Sequence, residues 1–135
     1  MTSDKPQIQF EALTPNIMVS DMQKSLEFYK EVLGFTLYAK NPPEPPYEWA
    51  MAGRDETTLM FQTRESLSGE LPLFKERPIG GSQTFFIKVE GVEELYEELK
   101  GKAEVVLEPK TSFYGMREFA ILDPDGYVLM FAEEV

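Results

Sequence analysis

The sequence predicts an α+β fold in which two βαβββ modules follow one another within a single domain, residues 1–135. Three observations predict this fold. A pattern of one strand, one helix and three strands occurs twice along the chain. The two occurrences are related by a constant offset, which carries Leu59 onto Leu129. The turn before the last strand also falls at the corresponding place in both copies.

The first module is assigned to residues 12–63, after a polar segment at 1–11 that we expect to be a loose arm or an edge strand. Ser20 and Asp21 are candidate N-caps of a helix, and Ser20 with Gln23 has capping-box spacing. Apolar residues recur at helical spacing up to Gly34, which favours a helix C-terminus. The strands are predicted around a proline-rich loop at 41–46, over 12–20, 35–39, 47–52 and 57–63.

The second module is assigned to residues 82–135, after a linker at 64–81 that contains two prolines and three glycines. Its helix is predicted from Val92 to Leu99, before Gly101. Asp-Pro-Asp-Gly at 123–126 is a strong turn signal. The strands are predicted over 83–89, 103–107, 118–122 and 127–132.

The internal repeat relates individual residues of the two modules. Leu59-Met60-Phe61 and Leu129-Met130-Phe131 are identical. The same offset pairs the turn at 53–56 with the turn at 123–126. It also predicts that Glu48 corresponds to Glu118 and that Trp49 corresponds to Phe119.

Alternation along the strands predicts two faces for each sheet. The apolar face should pack under the helices and is formed by Ile17, Val19, Leu59, Phe61, Ile87, Val89, Leu129 and Phe131. The opposite face mixes polar, apolar and aromatic residues: Thr14, Asn16, Met18, Thr58, Met60, Gln62, Thr84, Phe86, Lys88, Val128, Met130 and Ala132. Such a mixture suits a concave site for a partly apolar ligand. It also suits an exposed sheet face or a dimer contact.

Composition excludes several function classes. The formal net charge of −11 disfavours nucleic acid as a partner, and it either attracts cationic small molecules or simply keeps the chain soluble. Cysteine and histidine are absent, which removes thiolate chemistry and the commonest general base and metal ligand. No apolar run reaches the length of a membrane span, and the N-terminus does not resemble a signal peptide. We therefore expect a cytoplasmic protein with no membrane partner.

Two segments resemble the vicinal oxygen chelate superfamily, which includes glyoxalases, extradiol dioxygenases and bleomycin-resistance proteins. These segments are NIMVSDMQKSLEFYKEVLGF at 16–35 and FAILDPDGYVLMF at 119–131. The resemblance covers about residues 12–135. It implies that the two modules form a curled mixed sheet around a cleft, with the helices on the outer face. It also implies a homodimer, since closed symmetry would cover exposed strand edges.

The metal-binding positions of this superfamily carry no metal ligands in this chain. Metalloenzymes of the superfamily use His, Glu or Gln on the first and last strands of each module, and these positions fall on Thr14, Met60, Thr84 and Met130. None of these residues suits a divalent metal. We therefore predict no metal and no cofactor. Glu48 and Glu118 are interpreted as exposed edge-strand charges; an oxygen-only Mg²⁺ or Ca²⁺ site and an acid/base pair are the alternatives.

The resemblance then implies the non-metal branch of the superfamily, whose members sequester drugs such as bleomycin between aromatic rings. The predicted partner is a small, partly aromatic molecule, bound by Asn16, Trp49, Met60, Gln62, Thr84, Phe86, Lys88, Tyr114, Arg117 and Met130. Phe113 and Phe119 are further rings expected near the cleft or in the core, and Lys88 and Arg117 are candidates to hold an anionic group. The alternatives are a lyase, isomerase or dioxygenase-like enzyme with an atypical site, and a regulatory module that uses the same groove.

Overall fold

The computed structural model describes residues 7–135 and confirms the α+β fold and the order of elements in both modules. Each module contributes one four-stranded sheet, with strand order β1-β4-β3-β2 in the first and β5-β8-β7-β6 in the second. The elements are β1 Asn16–Val19, α1 Met22–Glu31, β2 Thr36–Asn41, β3 Trp49–Arg54, β4 Thr57–Thr63, α2 Arg64–Glu70, β5 Thr84–Lys88, α3 Val92–Leu99, β6 Glu104–Thr111, β7 Met116–Leu122 and β8 Val128–Glu134.

The sheets are mixed because the helices α1 and α3 are crossover connections. The first strand of each module runs parallel to the last, with Asn16 beside Met60 in one sheet and Phe86 beside Met130 in the other. The remaining strands form antiparallel ladders, which short turns can join.

One apolar core lies between the helices and the sheets and includes residues of both modules. The predicted apolar faces are confirmed: Ile17, Phe61 and Leu129 are buried in this core, and Ile87 packs against it. Tyr29 of α1 is fully buried there and contacts Phe61 edge-on. Burial of this shared apolar surface makes the main contribution to the free energy that holds the modules together.

The two long helices are capped in different ways. Asp21 caps α1 by accepting a hydrogen bond from the Lys24 backbone N–H. Of the two candidate caps, Asp21 is therefore confirmed, and the capping role of Ser20 is wrong. Helix α3 begins after Gly91, which has no side chain to cap it. The Glu133 carboxylate on β8 accepts instead from the Gly91 and Val92 backbone N–H groups. These bonds lower the pKa of Glu133.

The turn between β7 and β8 connects the two modules through Asp123. Its buried carboxylate accepts from the Tyr29 Oη at 2.8 Å and from the backbone N–H groups of Asp125 and Tyr127 at 2.9 Å. Burial raises the pKa of Asp123, and it also raises the pKa of Tyr29. The Asp-Pro-Asp-Gly sequence therefore supplies a cross-module contact as well as a turn.

The β-turns of the two modules at this end of the sheets differ in length by one residue. Gly53 pairs with Thr58 across four intervening residues, whereas Leu122 pairs with Val128 across five. The offset that relates Leu59 to Leu129 therefore applies to the residues of β4 and β8. Residues of β3 and β7 are related by an offset that is one residue shorter. The predicted correspondences of Glu48 with Glu118 and of Trp49 with Phe119 are wrong, because the structure places Trp49 and Glu118 at equivalent positions.

The predicted linker contains regular structure. Residues 64–81 include helix α2 and a 3-10 turn at Pro72–Lys75, and the Arg64 side chain ties them together through the backbone carbonyls of Phe74 and Lys75. Residues 7–15 form no helix or strand, so β1 is shorter than predicted, and the rest of the predicted arm lies outside the described residues. In residues 7–135 no helix is long and apolar enough to cross a membrane.

Candidate ligand-binding site

Each sheet has one face turned away from the core, and we call these surfaces open face A and open face B. Because side chains alternate along a strand, these faces carry the residues between the core positions. Open face A consists of Asn16, Met18, Trp49, Met51, Met60 and Gln62; open face B consists of Thr84, Phe86, Lys88, Met116, Glu118, Ala120, Met130 and Ala132. Eight of the ten predicted site residues lie on these two faces.

Open face A is organised by a chain of amide hydrogen bonds. The Gln62 side chain, only 4% exposed, accepts from Asn16 Nδ2 at 2.8 Å. Its own amide nitrogen donates to Ser66 Oγ at 2.9 Å and to Glu70 Oε1 at 2.8 Å. Helix α2 therefore lies on the open side of this sheet, unlike α1 and α3. Trp49 is the cross-strand neighbour of Gln62, so its ring lies beside a fixed amide.

Open face B contains a buried carboxylate that the sequence analysis placed in solvent. Glu118 is only 4% exposed, and its Oε2 accepts from Tyr114 Oη at 2.7 Å. This hydrogen bond raises the pKa of Tyr114, so the phenol remains a donor. Tyr114 belongs to the loop between β6 and β7, where Phe113 is fully exposed and contacts the Tyr114 ring edge-on at 5.0 Å between centroids. The interpretation of Glu118 as an exposed charge is wrong.

The remaining predicted residues divide between the two sides of the sheet. Phe86 is half exposed on open face B, and Lys88 pairs with Glu134 at 2.9 Å. Arg117 lies on the core side of β7, where it pairs with Glu93 of α3 at 2.6 Å. Arg117 therefore cannot contact a ligand on open face B. Phe119 is fully buried and stacks on Phe131, so it is a core residue.

The residues at the metal-binding positions do not fit a divalent metal. The register places Asn16 rather than Thr14 beside Met60, and Phe86 rather than Thr84 beside Met130. Two thioethers, a phenyl ring and one amide provide no carboxylate or imidazole ligand. Across residues 7–135, no three Asp or Glu side chains gather in a cluster that could hold a metal ion.

Two open grooves are lined almost entirely by residues outside these faces. One runs between α1 and the proline-rich β2–β3 loop and is lined by Met22, Leu26, Phe35, Pro45, Pro46 and Tyr47, among others. The other lies between α3 and the β3–β4 turn, and Lys88 is the single predicted site residue that lines it. That the two open faces enclose one cavity stays a prediction.

Three polar residues on or beside the open faces are not predicted from the sequence. Ser66 and Glu70 were assigned to a linker, although Thr63 has the spacing of a helix cap and accepts from the Ser66 backbone N–H. Glu118 was missed as a buried group because its position depends on the length of the following turn. No pattern within β7 alone reveals that length difference.

These features define a class of protein in which paired βαβββ modules turn one face of each sheet away from a shared core. The chain belongs to the Glyoxalase/Bleomycin resistance protein/Dioxygenase superfamily, whose sequence profile matches residues 10–131. It is 32% identical over 130 residues to a bleomycin resistance protein of Geobacillus stearothermophilus, covering 90% of this chain and 95% of that protein.

Solved structures show the same fold. A glyoxalase/bleomycin resistance protein/dioxygenase from Nocardioides superposes with a TM-score of 0.77 at 18% identity, covering 96% of this chain and 87% of the other. TnmS3, an antibiotic binding protein from Streptomyces sp. CB03234, superposes with a TM-score of 0.71 at 21% identity and covers 95% of this chain and all of its own.

Proposed function

We propose that this protein is a metal-independent binding protein that sequesters a small, partly aromatic compound. The observation that carries the proposal is the chemistry of the open faces at the family's metal positions. Met60 and Met130 present soft apolar surface there, and Asn16 and Phe86 stand beside them. Methionine adapts to irregular apolar ligands, whereas it is a poor ligand for the metals that such enzymes use.

Rings and fixed polar groups on the same faces supply the other elements of a small-molecule site. Trp49 and Phe86 offer flat surfaces for a planar ligand. The amide chain through Gln62 holds polar groups in a defined orientation, which reduces the entropy lost on binding. A bleomycin resistance protein among the relatives, and an antibiotic binding protein among the structural neighbours, support a ligand of this class.

We also propose that the binding form is a homodimer. The half-exposed ring of Phe86 lies on open face B, and each sheet ends in an edge strand on either side. A second copy related by closed symmetry would cover such surfaces and complete a cleft. Sedimentation equilibrium at micromolar concentration should give twice the mass of one chain. A monomer across that range would contradict the dimer.

Titration with metal-free bleomycin tests the binding proposal. Trp49 is the single tryptophan of the chain, so its indole N–H gives one isolated NMR cross-peak on open face A. We expect saturable heat in calorimetry, together with a shift of this cross-peak. Met60→Glu combined with Thr84→His should preserve the fold and weaken binding by about 1 kcal/mol or more, because it places polar groups on the apolar part of the faces.

The control variant is Glu44→Gln, in the exposed proline-rich loop, which should bind like the wild type. Unchanged indole and methionine methyl resonances at saturating bleomycin would contradict a bleomycin-like ligand. The enzyme alternative makes a different prediction. Purified protein that carries about one Zn, Ni, Fe or Mn per chain would overturn the metal-independent proposal.

A further inference from the structure

Glu118 is an unusual residue for the middle of a sheet. Its side chain is almost wholly buried on open face B, yet the single side-chain partner it has among the described residues is the Tyr114 hydroxyl. A neutral donor supplies only one of the hydrogen bonds that the two oxygens of a carboxylate can accept. The second carboxylate oxygen, Oε1, accepts no hydrogen bond from any described residue.

No cation of the described chain neutralises this carboxylate. Four ion pairs form in residues 7–135, and none of them includes Glu118. Lys110 is its cross-strand neighbour on β6, but that side chain is exposed and belongs to none of these pairs. Lys88, on the other side of Ala132, is already held by Glu134.

One carboxylate oxygen of Glu118 keeps contact with solvent, because Oε1 has no partner in residues 7–135 and yet is not among the fully buried polar atoms that lack one. The neighbour of Glu118 across the ladder is Ala132, and Ala120 follows it on the same face of β7. Both of these alanine side chains are buried, at 2% exposed for Ala120 and 0% for Ala132. The equivalent position in the first module is filled by Trp49 beside Gln62.

We propose that Glu118 and Tyr114 form a subsite for a cationic nitrogen group, an ammonium or an amidinium, of the bound ligand. This inference rests on the proposed function in one respect, namely that open face B contacts the ligand. The cation donates to Glu118 Oε1, while Tyr114 continues to donate to Oε2. A charge-assisted hydrogen bond of this kind is roughly twice as strong as a neutral one.

The loop that carries Tyr114 adds a second interaction. Its ring is half exposed and lies against the exposed Phe113 ring. Aromatic faces attract cations, and the attraction grows where water is excluded. The chain's net charge of −11 favours approach of a cation to this face. The subsite thus selects for charge, while Trp49 and Phe86 select for planar apolar surface.

Benzamidine and benzamide are a matched pair of probes, because they share size and planarity and differ in charge. In ¹H–¹⁵N titrations, benzamidine should shift the Tyr114 and Glu118 amides and bind at least about tenfold more tightly than benzamide. Glu118→Gln should reduce this preference to below about threefold. Glu108→Gln removes an exposed carboxylate from β6 and should leave the preference unchanged.

Two further measurements keep the test decisive. In the wild-type protein, the Glu118 side-chain ¹³Cδ resonance should move with benzamidine and not with benzamide, which requires no substitution. Tyr114→Phe should retain the charge preference, because the carboxylate remains. An equal response to the two probes, or a preference that survives Glu118→Gln in folded protein, would overturn the subsite.

Failure of the subsite is distinguishable from failure of the proposed function. Bleomycin that binds wild type and Glu118→Gln with equal affinity would overturn the cation subsite while leaving the binding protein intact. A clear benzamidine preference without any bleomycin binding would support the subsite and contradict a bleomycin-like ligand.

Discussion

The two open faces of this protein have different chemistry, although the core positions of β4 and β8 behind them are occupied by the same residue types. On face A a neutral amide, Gln62, lies beside Trp49 and is held by α2. On face B the equivalent positions are Ala132 and Glu118, and the carboxylate is held by Tyr114. The core positions Leu59 and Leu129 match, as do Phe61 and Phe131.

This contrast shows where the repeat is constrained. Core side chains of the two modules fill one shared cluster, so a change of volume at one core position must be accommodated by its packed neighbours. Side chains on the open faces have no such constraint and can take on separate roles. The two modules therefore share one fold but present two different surfaces: open face A is neutral, and open face B is charged.

Phe119→Ala provides the largest expected effect and tests the correspondence of the modules directly. Phe119 is fully buried between Phe131 and Tyr96, so its truncation should lower the free energy of unfolding by about 4 kcal/mol. Trp49→Ala on the open face should cost about 1–2 kcal/mol, because less of its surface leaves water on folding. Urea unfolding measures both.

Equal losses in these two variants would contradict the shorter offset between β3 and β7. The same outcome would return Trp49 and Phe119 to equivalent positions and would place Glu118 on the helix-facing side of β7.

The second test compares the two turns. Asp123→Ala leaves the Tyr29 hydroxyl and two backbone N–H groups without their acceptor, and we expect it to lower the free energy of unfolding by about 3 kcal/mol. Glu56→Ala in the shorter β3–β4 turn changes an exposed side chain and should cost less than about 0.5 kcal/mol. A mild Asp123→Ala variant would mean that the modules do not depend on this turn.

The third test, with the smallest expected effect, compares how much the two helix caps contribute to the free energy of unfolding. Asp21→Ala removes a local cap of α1 and should cost about 1 kcal/mol. Glu133→Gln weakens the cap that β8 provides to α3. Because folding lowers the pKa of Glu133, the carboxylate stabilises the protein above its ordinary pKa of 4.5 and loses this contribution as pH falls through the folded value.

The difference in unfolding free energy between wild type and Glu133→Gln should therefore be largest near neutral pH and should shrink in acid. Thermal unfolding across pH 3–7 checks this sign. A difference that grows as pH falls would show that the carboxylate does not cap α3.

Alternation in the sequence predicts the core faces because a strand has a strict period of two residues. Ile17, Leu59 and Phe131 were assigned correctly on this basis. The same period makes the predicted face assignment of β7 sensitive to its register, since a register error of one residue exchanges its two faces. Arg117 and Phe119 were misplaced together for this reason.

Helix α2 was missed for a different reason. RESLSGE has a serine-rich and glycine-containing sequence that favours a loop, but Gln62 holds Ser66 and Glu70 from the sheet. Tertiary contacts here override local propensity. Whether the two open faces meet depends on packing between modules or between chains, and a single-chain sequence pattern does not encode it.

The additional residue of the β7–β8 turn has a consequence for protein engineering. Length variation at 123–127 exchanges the inward and outward residues of an entire strand relative to its partner module, without altering any side chain in that strand. Mutagenesis libraries that contain substitutions alone do not sample such a change. Insertions and deletions at this turn, screened for solubility first and for ligand preference second, give access to binding surfaces built from residues that now fill the interior.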